Sequence, residues 1–104
     1  MSENKILISV VMSTYNTPMG ILSQAVESIL KQTYSNFEFI IIDDCSTDNT
    51  LEYLNSLKDN RIKIIKNIKN LGITASLNIG LNLAKGKYIA RMDSDDISFP
   101  KRLE

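Results

Sequence analysis

Three carboxylates, Asp93, Asp95 and Asp96, fall within four positions of the stretch RMDSDDISFP at residues 91–100. Like charges that close repel one another unless a cation sits among them. A bound metal ion, a solvated turn before Pro100 and a helix cap are the alternatives. Asp93 and Asp95, spaced i, i+2 after an apolar run, can point to the same side and hold one hard divalent ion, with phosphate oxygens and water completing its shell. A second acid pair, Asp43 and Asp44, follows the run FIII. It has a plain structural alternative, because a turn from strand to helix favours short polar residues and acids near the helix start.

The remaining composition narrows this chemistry. The chain has no histidine and a single cysteine, Cys45, so the commonest general base, the usual zinc ligands and an internal disulfide are all excluded. Cys45 reads as a small turn residue with no cationic neighbour to activate it. Any metal must then be oxygen-ligated, which points to Mg²⁺ or Mn²⁺. A calcium loop starting at Asp93 fails, since Ile97 and Ser98 stand where a ligand and a glycine are needed. A receiver-type phosphoacceptor domain would want its acid pair after the first strand, where this chain has Ser13, Thr14, Tyr15 and Asn16. A glycine-rich phosphate cradle is missing, because none of the four glycines is grouped with another. Tyr15 either covers the edge of the core or stacks on a nucleobase. Lys66 and Lys69 read as solvated, with the capacity to help hold a diphosphate.

A chain of 104 residues supports one core, and 43% apolar with 23% charged residues places it among folded globular domains. Twelve basic and twelve acidic residues cancel, which disfavours nucleic acid as a partner. The apolar runs fall far short of the ~20 residues that span a bilayer. The opening MSENKILISVVMSTYN lacks the cleavage site of a signal peptide, so a cytoplasmic location is expected.

Four runs rich in β-branched or aromatic residues, Ile6 to Met12, Phe37 to Ile42, Arg61 to Lys66 and Lys87 to Met92, alternate with three helical patterns. The continuity of FIII suggests strands buried on both faces, as in a parallel sheet. The first helix is expected to start at Thr17 as N-cap and Pro18 as first helical residue, with Ile21, Leu22, Ala25, Val26, Ile29 and Leu30 as its apolar stripe. Ser46 is expected to cap the second helix, with Asp48 in its first turn, Leu51, Leu54 and Leu57 on one stripe, and DNR ending it. The third carries Ile73, Leu77, Gly80, Leu81 and Ala84, with Gly80 allowing close packing and Gly86 as a left-handed C-terminal cap. The fold class is therefore α/β, an open, mostly parallel Rossmann-like sheet with helices on both faces, in one domain over residues 1–104. Ligands of such sheets bind at the carboxyl ends of the strands. There STYNTP, DDCSTD and DSDD form polar clusters on one expected rim.

Taken together, ISVVMSTYN, SILKQTYSNFEFIIIDDCSTDNT, NLGITASLNIGLNLAKGKYIARMDSDD and FPKRLE resemble the N-terminal half of family 2 glycosyltransferases with the GT-A fold. The resemblance runs from about Ile8 to Glu104. It implies inverting transfer of a sugar from a nucleotide diphosphate donor, UDP foremost, to an acceptor hydroxyl, in the making of a cell-envelope polysaccharide. By that similarity Ser13, Tyr15, Asn16, Asp44, Asp93 and Ser94 bind the donor nucleotide, with Asp44 at the base edge and Asp93 near the ribose or diphosphate. Asp95 is implied as the main ligand of Mg²⁺ or Mn²⁺, assisted by Asp93 and Asp96. Many relatives carry Arg where this chain has Leu77, before Asn78.

In the family the acceptor half and the catalytic base lie downstream, so no catalytic residue is assigned here. The expectation is a donor-binding part with little turnover, self-associating through uncovered surfaces, and located at the inner membrane face in the full-length protein. A saccharide or lipid-linked acceptor is implied. A non-catalytic nucleotide- or protein-binding module of the same fold is the alternative. A nucleotidyltransferase would need a glycine-rich basic loop after the first strand, which STYNTP is not.

Overall fold

Each apolar run becomes a strand because β-branched side chains suit a pleated layer covered on both sides. The computed structural model describes residues 6–104; residues 1–5, on which the signal-peptide reading rests in part, lie outside them. In chain order the elements are β1 (Ile8–Thr14), α1 (Met19–Leu30), β2 (Phe37–Asp43), α2 (Thr50–Asn55), β3 (Ile62–Lys66), α3 (Ile73–Leu83) and β4 (Tyr88–Asp93). The strands lie in the order β3-β2-β1-β4, and all three pairings are parallel.

Alternation along β1 and β2 divides the core into two layers. Val10, Met12, Phe39 and Ile41 meet Leu22, Val26 and Ile29 of α1 and Leu54 of α2 in one cluster. The opposite face carries Val11, Ile40 and Ile42, all fully buried, and is covered by α3. There Gly80 lets the helix approach the sheet, since a Cβ at this position would fall inside van der Waals contact with Val11 Cγ1.

Three capping expectations are corrected. Helix α1 begins at Met19, with Pro18 rather than Thr17 in the capping position and no side-chain cap; the Thr17 hydroxyl is engaged by Thr14 and Ser94 instead. Helix α2 begins at Thr50 behind Asn49, four residues after Ser46, and ends at Asn55, before DNR. Asp48 precedes this helix and accepts from the Thr50 N–H at 2.9 Å, while Ser46 Oγ accepts from Asn16 N–H at 3.0 Å. Gly86 is not left-handed, because α3 ends through an extended Ala84. Gly86 is small for another reason: a Cβ there would lie 2.6 Å from Ser9 N and 2.8 Å from Leu7 O. The left-handed glycine is Gly72, at φ 92°, just before α3.

At the amino ends of the strands a buried carboxylate ties α3 and β4 to the sheet. Glu38 accepts from Ser9 Oγ, from Lys63 Nζ at 2.8 Å and from Lys85 N–H at 2.6 Å, while Ser9 Oγ accepts from Gly86 N–H at 2.7 Å. Burial alone would raise the Glu38 carboxyl, but the bonds from Lys63, Lys85 and Ser9 outweigh it and hold the group at about 2, below its usual 4.5.

Two outcomes follow from this packing. Because the folded value of Glu38 is depressed, its contribution is present above about pH 4.5 and is lost as pH falls toward 2. Thermal melts from pH 2 to 6 should show Glu38→Gln losing on the order of 1–3 kcal/mol of that acid-sensitive stability, with a flatter profile than wild type. Gly80→Ala should destabilise by about 1–3 kcal/mol despite the better helix propensity of alanine, read as a fall in urea midpoint.

Candidate functional site at the carboxyl ends of β1 and β4

Strand β1 is paired on both sides, and the chain leaves it toward β2 on one side while β4 arrives on the other. Neighbouring loops diverge at such a switch point and leave a crevice beyond the strand ends. A cleft of about 460 Å³ lies there. Its floor is Ser13 and Asp93, which are register partners, and its walls include Tyr15, Ile21, Ile73 and Asp95. An apolar cavity of about 380 Å³ lies at the opposite ends of the same strands, between Ile8, Tyr34, Tyr88 and Leu103. It holds none of the clustered aspartates.

The β1 loop presents Tyr15 with its side chain half exposed toward the cleft. Next to it Asn16 takes a left-handed conformation, φ 49°, which asparagine tolerates well. That turn lets its side chain bridge to the β2 loop: Nδ2 donates to Thr47 Oγ1 at 3.1 Å, and Oδ1 accepts from Thr47 N–H at 2.8 Å.

At the end of β4 and just beyond it, Asp93, Asp95 and Asp96 each offer a carboxylate oxygen within 4.8 Å of the others, all three being exposed. The turn is closed by Asp96 N–H to Asp93 O at 3.1 Å and by Asp93 N–H to Asp96 Oδ2 at 3.0 Å. Oxygens bound to one small octahedral ion at ~2.1 Å lie ~3.0 Å apart when adjacent and ~4.2 Å when opposite, so the three carboxylates would draw together to hold it. An all-carboxylate set suits Mg²⁺ or Mn²⁺ and fits the group expected here. Beyond this turn the chain folds back on α1: Gln32 Nε2 donates to Phe99 O at 2.7 Å, and Ser98 N–H donates to Ser28 Oγ at 3.0 Å.

The two acid clusters of the sequence do not share this cleft. Asp44 is 2% exposed and lies outside the cleft lining. Its Oδ1 accepts from Leu71 N–H at 2.8 Å and Asn67 Nδ2 at 2.9 Å, and its Oδ2 accepts from Gly72 N–H at 2.9 Å. Burial opposes its charge, but these donors and Ser76 prevail and hold the carboxyl below its ordinary value. Asp43 is fully buried; Oδ1 accepts from Ser46 N–H at 3.2 Å, whereas Oδ2 has no hydrogen-bond partner among the described residues. Lys66 and Lys69 are exposed and stand outside the cleft lining.

Two supporting roles escaped the sequence reading. Asn67 bridges Asp44 and Ser76, and Ile73 forms a cleft wall. The only local signal for the first is turn chemistry in NIKNLG, which does not say what the turn embraces. Leu77 is buried on the α3 face, so this position serves packing.

An all-parallel α/β layer with its cleft at the switch point is the architecture of GT-A glycosyltransferases. Residues 9–104 match the family described as Glycosyl transferase family 2, and the chain belongs to that family. It is 50% identical over 104 residues to an uncharacterized glycosyltransferase of Haemophilus influenzae, covering 98% of this chain and 32% of that protein. It is 48% identical over 90 residues to UDP-Glc:alpha-D-GlcNAc-diphosphoundecaprenol beta-1,3-glucosyltransferase WfaP of Escherichia coli, covering 86% of this chain and 36% of that one. The chain thus spans about a third of the length of these curated relatives. Among solved structures, S. aureus TarS 1-349 in complex with UDP-GlcNAc superposes with a TM-score of 0.83 at 30% identity, over 91% of this chain and 28% of that one. No helix among the described residues is long and apolar enough to cross a membrane.

Replacing Asp44 by Ala removes the acceptor of the part-buried Leu71 and Gly72 N–H groups and one of the two acceptors of the buried Asn67 Nδ2. It should cost about 2–4 kcal/mol in urea unfolding, with Asp44→Asn recovering part of it.

Proposed function

We propose that residues 1–104 form the donor-binding part of an inverting glycosyltransferase that takes a sugar from a nucleotide diphosphate, UDP foremost, in a metal-dependent reaction. The observation that carries this reading is the cleft between β1 and β4 with Tyr15 on one wall and the Asp93–Asp96 turn on the other. The UDP-GlcNAc in TarS and the UDP-Glc in the name of WfaP support the choice of nucleotide.

Tyr15 stacks on the base, Ser13 and Asn16 bound the nucleoside, and Asp93 with Ser94 receives the ribose and diphosphate. Asp44, for which the resemblance implies the base edge, also holds the loop before α3 through Leu71 and Gly72 N–H and so sets the position of Ile73. Asp95, with Asp93 and Asp96, would hold Mg²⁺ or Mn²⁺, which when bound neutralises charge on the departing diphosphate.

A general base must reach the acceptor hydroxyl. The only acids lining the cleft among the described residues are Asp93 and Asp95, whose charge is committed to the metal ion. We therefore assign the base, and a saccharide or lipid-linked acceptor, to residues outside this chain, and expect little transfer from it alone. The whole protein would work at the cytoplasmic face of the membrane. Tyr88 and Ile89, exposed on edge strand β4 beside the apolar cavity, make self-association of the isolated chain a further expectation.

Calorimetric titration of UDP into the 104-residue chain should show binding at least about 10-fold tighter with Mn²⁺ than with chelator, and Asp95→Ala should remove that difference. Metal-independent binding, or none, would favour a non-catalytic module.

A further inference from the structure

Thr17 joins three elements that the sequence keeps far apart. It lies between β1 and α1 at 8% exposure, and its Oγ1 is 2.8 Å from Thr14 Oγ1 and 2.7 Å from Ser94 Oγ. Thr14 closes β1 and is 1% exposed, whereas Ser94 is half-buried and borders the cleft.

A hydroxyl has one proton to donate and two lone pairs to accept with. If the chain ran inward from Ser94, the last proton would be left on Thr14, in the least exposed position of the three. Running outward, Thr14 donates to Thr17 and Thr17 donates to Ser94. Every buried proton is then satisfied, and the free donor falls at Ser94, facing the cleft. Leaving a buried hydroxyl proton unpaired is the costlier arrangement.

We propose that Thr17 is a positioning residue for donor binding: it polarises and orients Ser94, and through Ser94 fixes the turn that carries Asp95. The proposal rests on the donor-site reading above. The turn transmits the constraint because it is closed on itself, with Asp96 N–H bonded to Asp93 O and Asp93 N–H to Asp96 Oδ2. Ser94 lies inside that ring, so anchoring its side chain limits rotation of the whole four-residue unit. The ligand is a nucleoside diphosphate, whose ribose or phosphate oxygens accept the outward proton of Ser94.

Two readouts on the 104-residue chain test this, one without ligand and one with UDP and Mn²⁺. In the ligand-free chain, backbone ¹⁵N order parameters at Ser94 and Asp95 should be near ~0.85 in wild type and Thr17→Ser, and should fall toward ~0.6 in Thr17→Val while the β2 amides stay rigid. With Mn²⁺ present, Thr17→Val should weaken UDP by about 3- to 10-fold, the scale of one net hydrogen bond. Thr17→Ser should restore affinity to within about twofold, and Thr17→Val combined with Ser94→Ala should be no weaker than Ser94→Ala alone.

A flexible Ser94 in wild type, no change in Thr17→Val, failure of rescue by serine, additive losses, or loosening of β2 in step with the turn would each overturn the proposal. Should Thr17→Val not fold, Ser94→Ala decides: rigidity at Asp95 and UDP affinity both equal to wild type would refute it. Wild type that binds no UDP refutes the donor reading, while the ligand-free order parameters still judge the relay.

Discussion

Parallel pairing of β1 with a strand on each side is the constraint from which the rest of the structure follows. All seven residues of β1 are buried, so both of its faces need covering. Parallel neighbours can be reached only by crossovers, and the crossovers supply that cover. Helices α1 and α2 close one face while α3 closes the other. The same return path that brings β4 alongside β1 opens the crevice at their carboxyl ends. The location of the cleft is thus a by-product of how the apolar runs are buried.

Helix α3 is held to this sheet by two acids, Glu38 within β2 and Asp44 just after it, one beyond each end of the helix. Glu38 receives Lys85 N–H behind the helix, and Asp44 receives Leu71 and Gly72 N–H ahead of it. Both carboxylates are buried, and both stay ionised because backbone N–H groups and polar side chains replace water around them. An apolar pair in their place would pack against the sheet but leave those N–H groups without acceptors.

Element type was readable because it depends on local periodicity: FIII and its counterparts became strands, and the Ile21–Leu30 and Ile73–Leu81 stripes became helices within a few residues. Of the residues for which the family resemblance implied nucleotide binding, Ser13, Tyr15, Asn16, Asp93 and Ser94 line the cleft between β1 and β4, and Asp44 does not. Polar side chains were harder, since a hydroxyl or carboxylate has several partners within reach and only the tertiary fold selects one. Thr17 ahead of Pro18 has the composition of a helix start, yet its hydroxyl is claimed from 77 residues away by Ser94. The resemblance implied Asp44 at the base edge, and nothing local to DDCSTD said that a loop 23 to 28 residues downstream would donate to it. Gly86 and Gly72 show the same ambiguity, because a glycine marks a special backbone site without saying whether it meets a turn or a close approach.

The β4 turn is fastened at both ends, by Thr17 at Ser94 and by Ser28 and Gln32 at Ser98 and Phe99. Tyr15, Ile21 and Ile73, in contrast, project their side chains about half exposed into the cleft. Divergence is therefore cheap on those walls and expensive in the turn. Exchanging those three half-exposed side chains would reshape one side of the cleft at little expense to the core, while the carboxylates opposite them stay put.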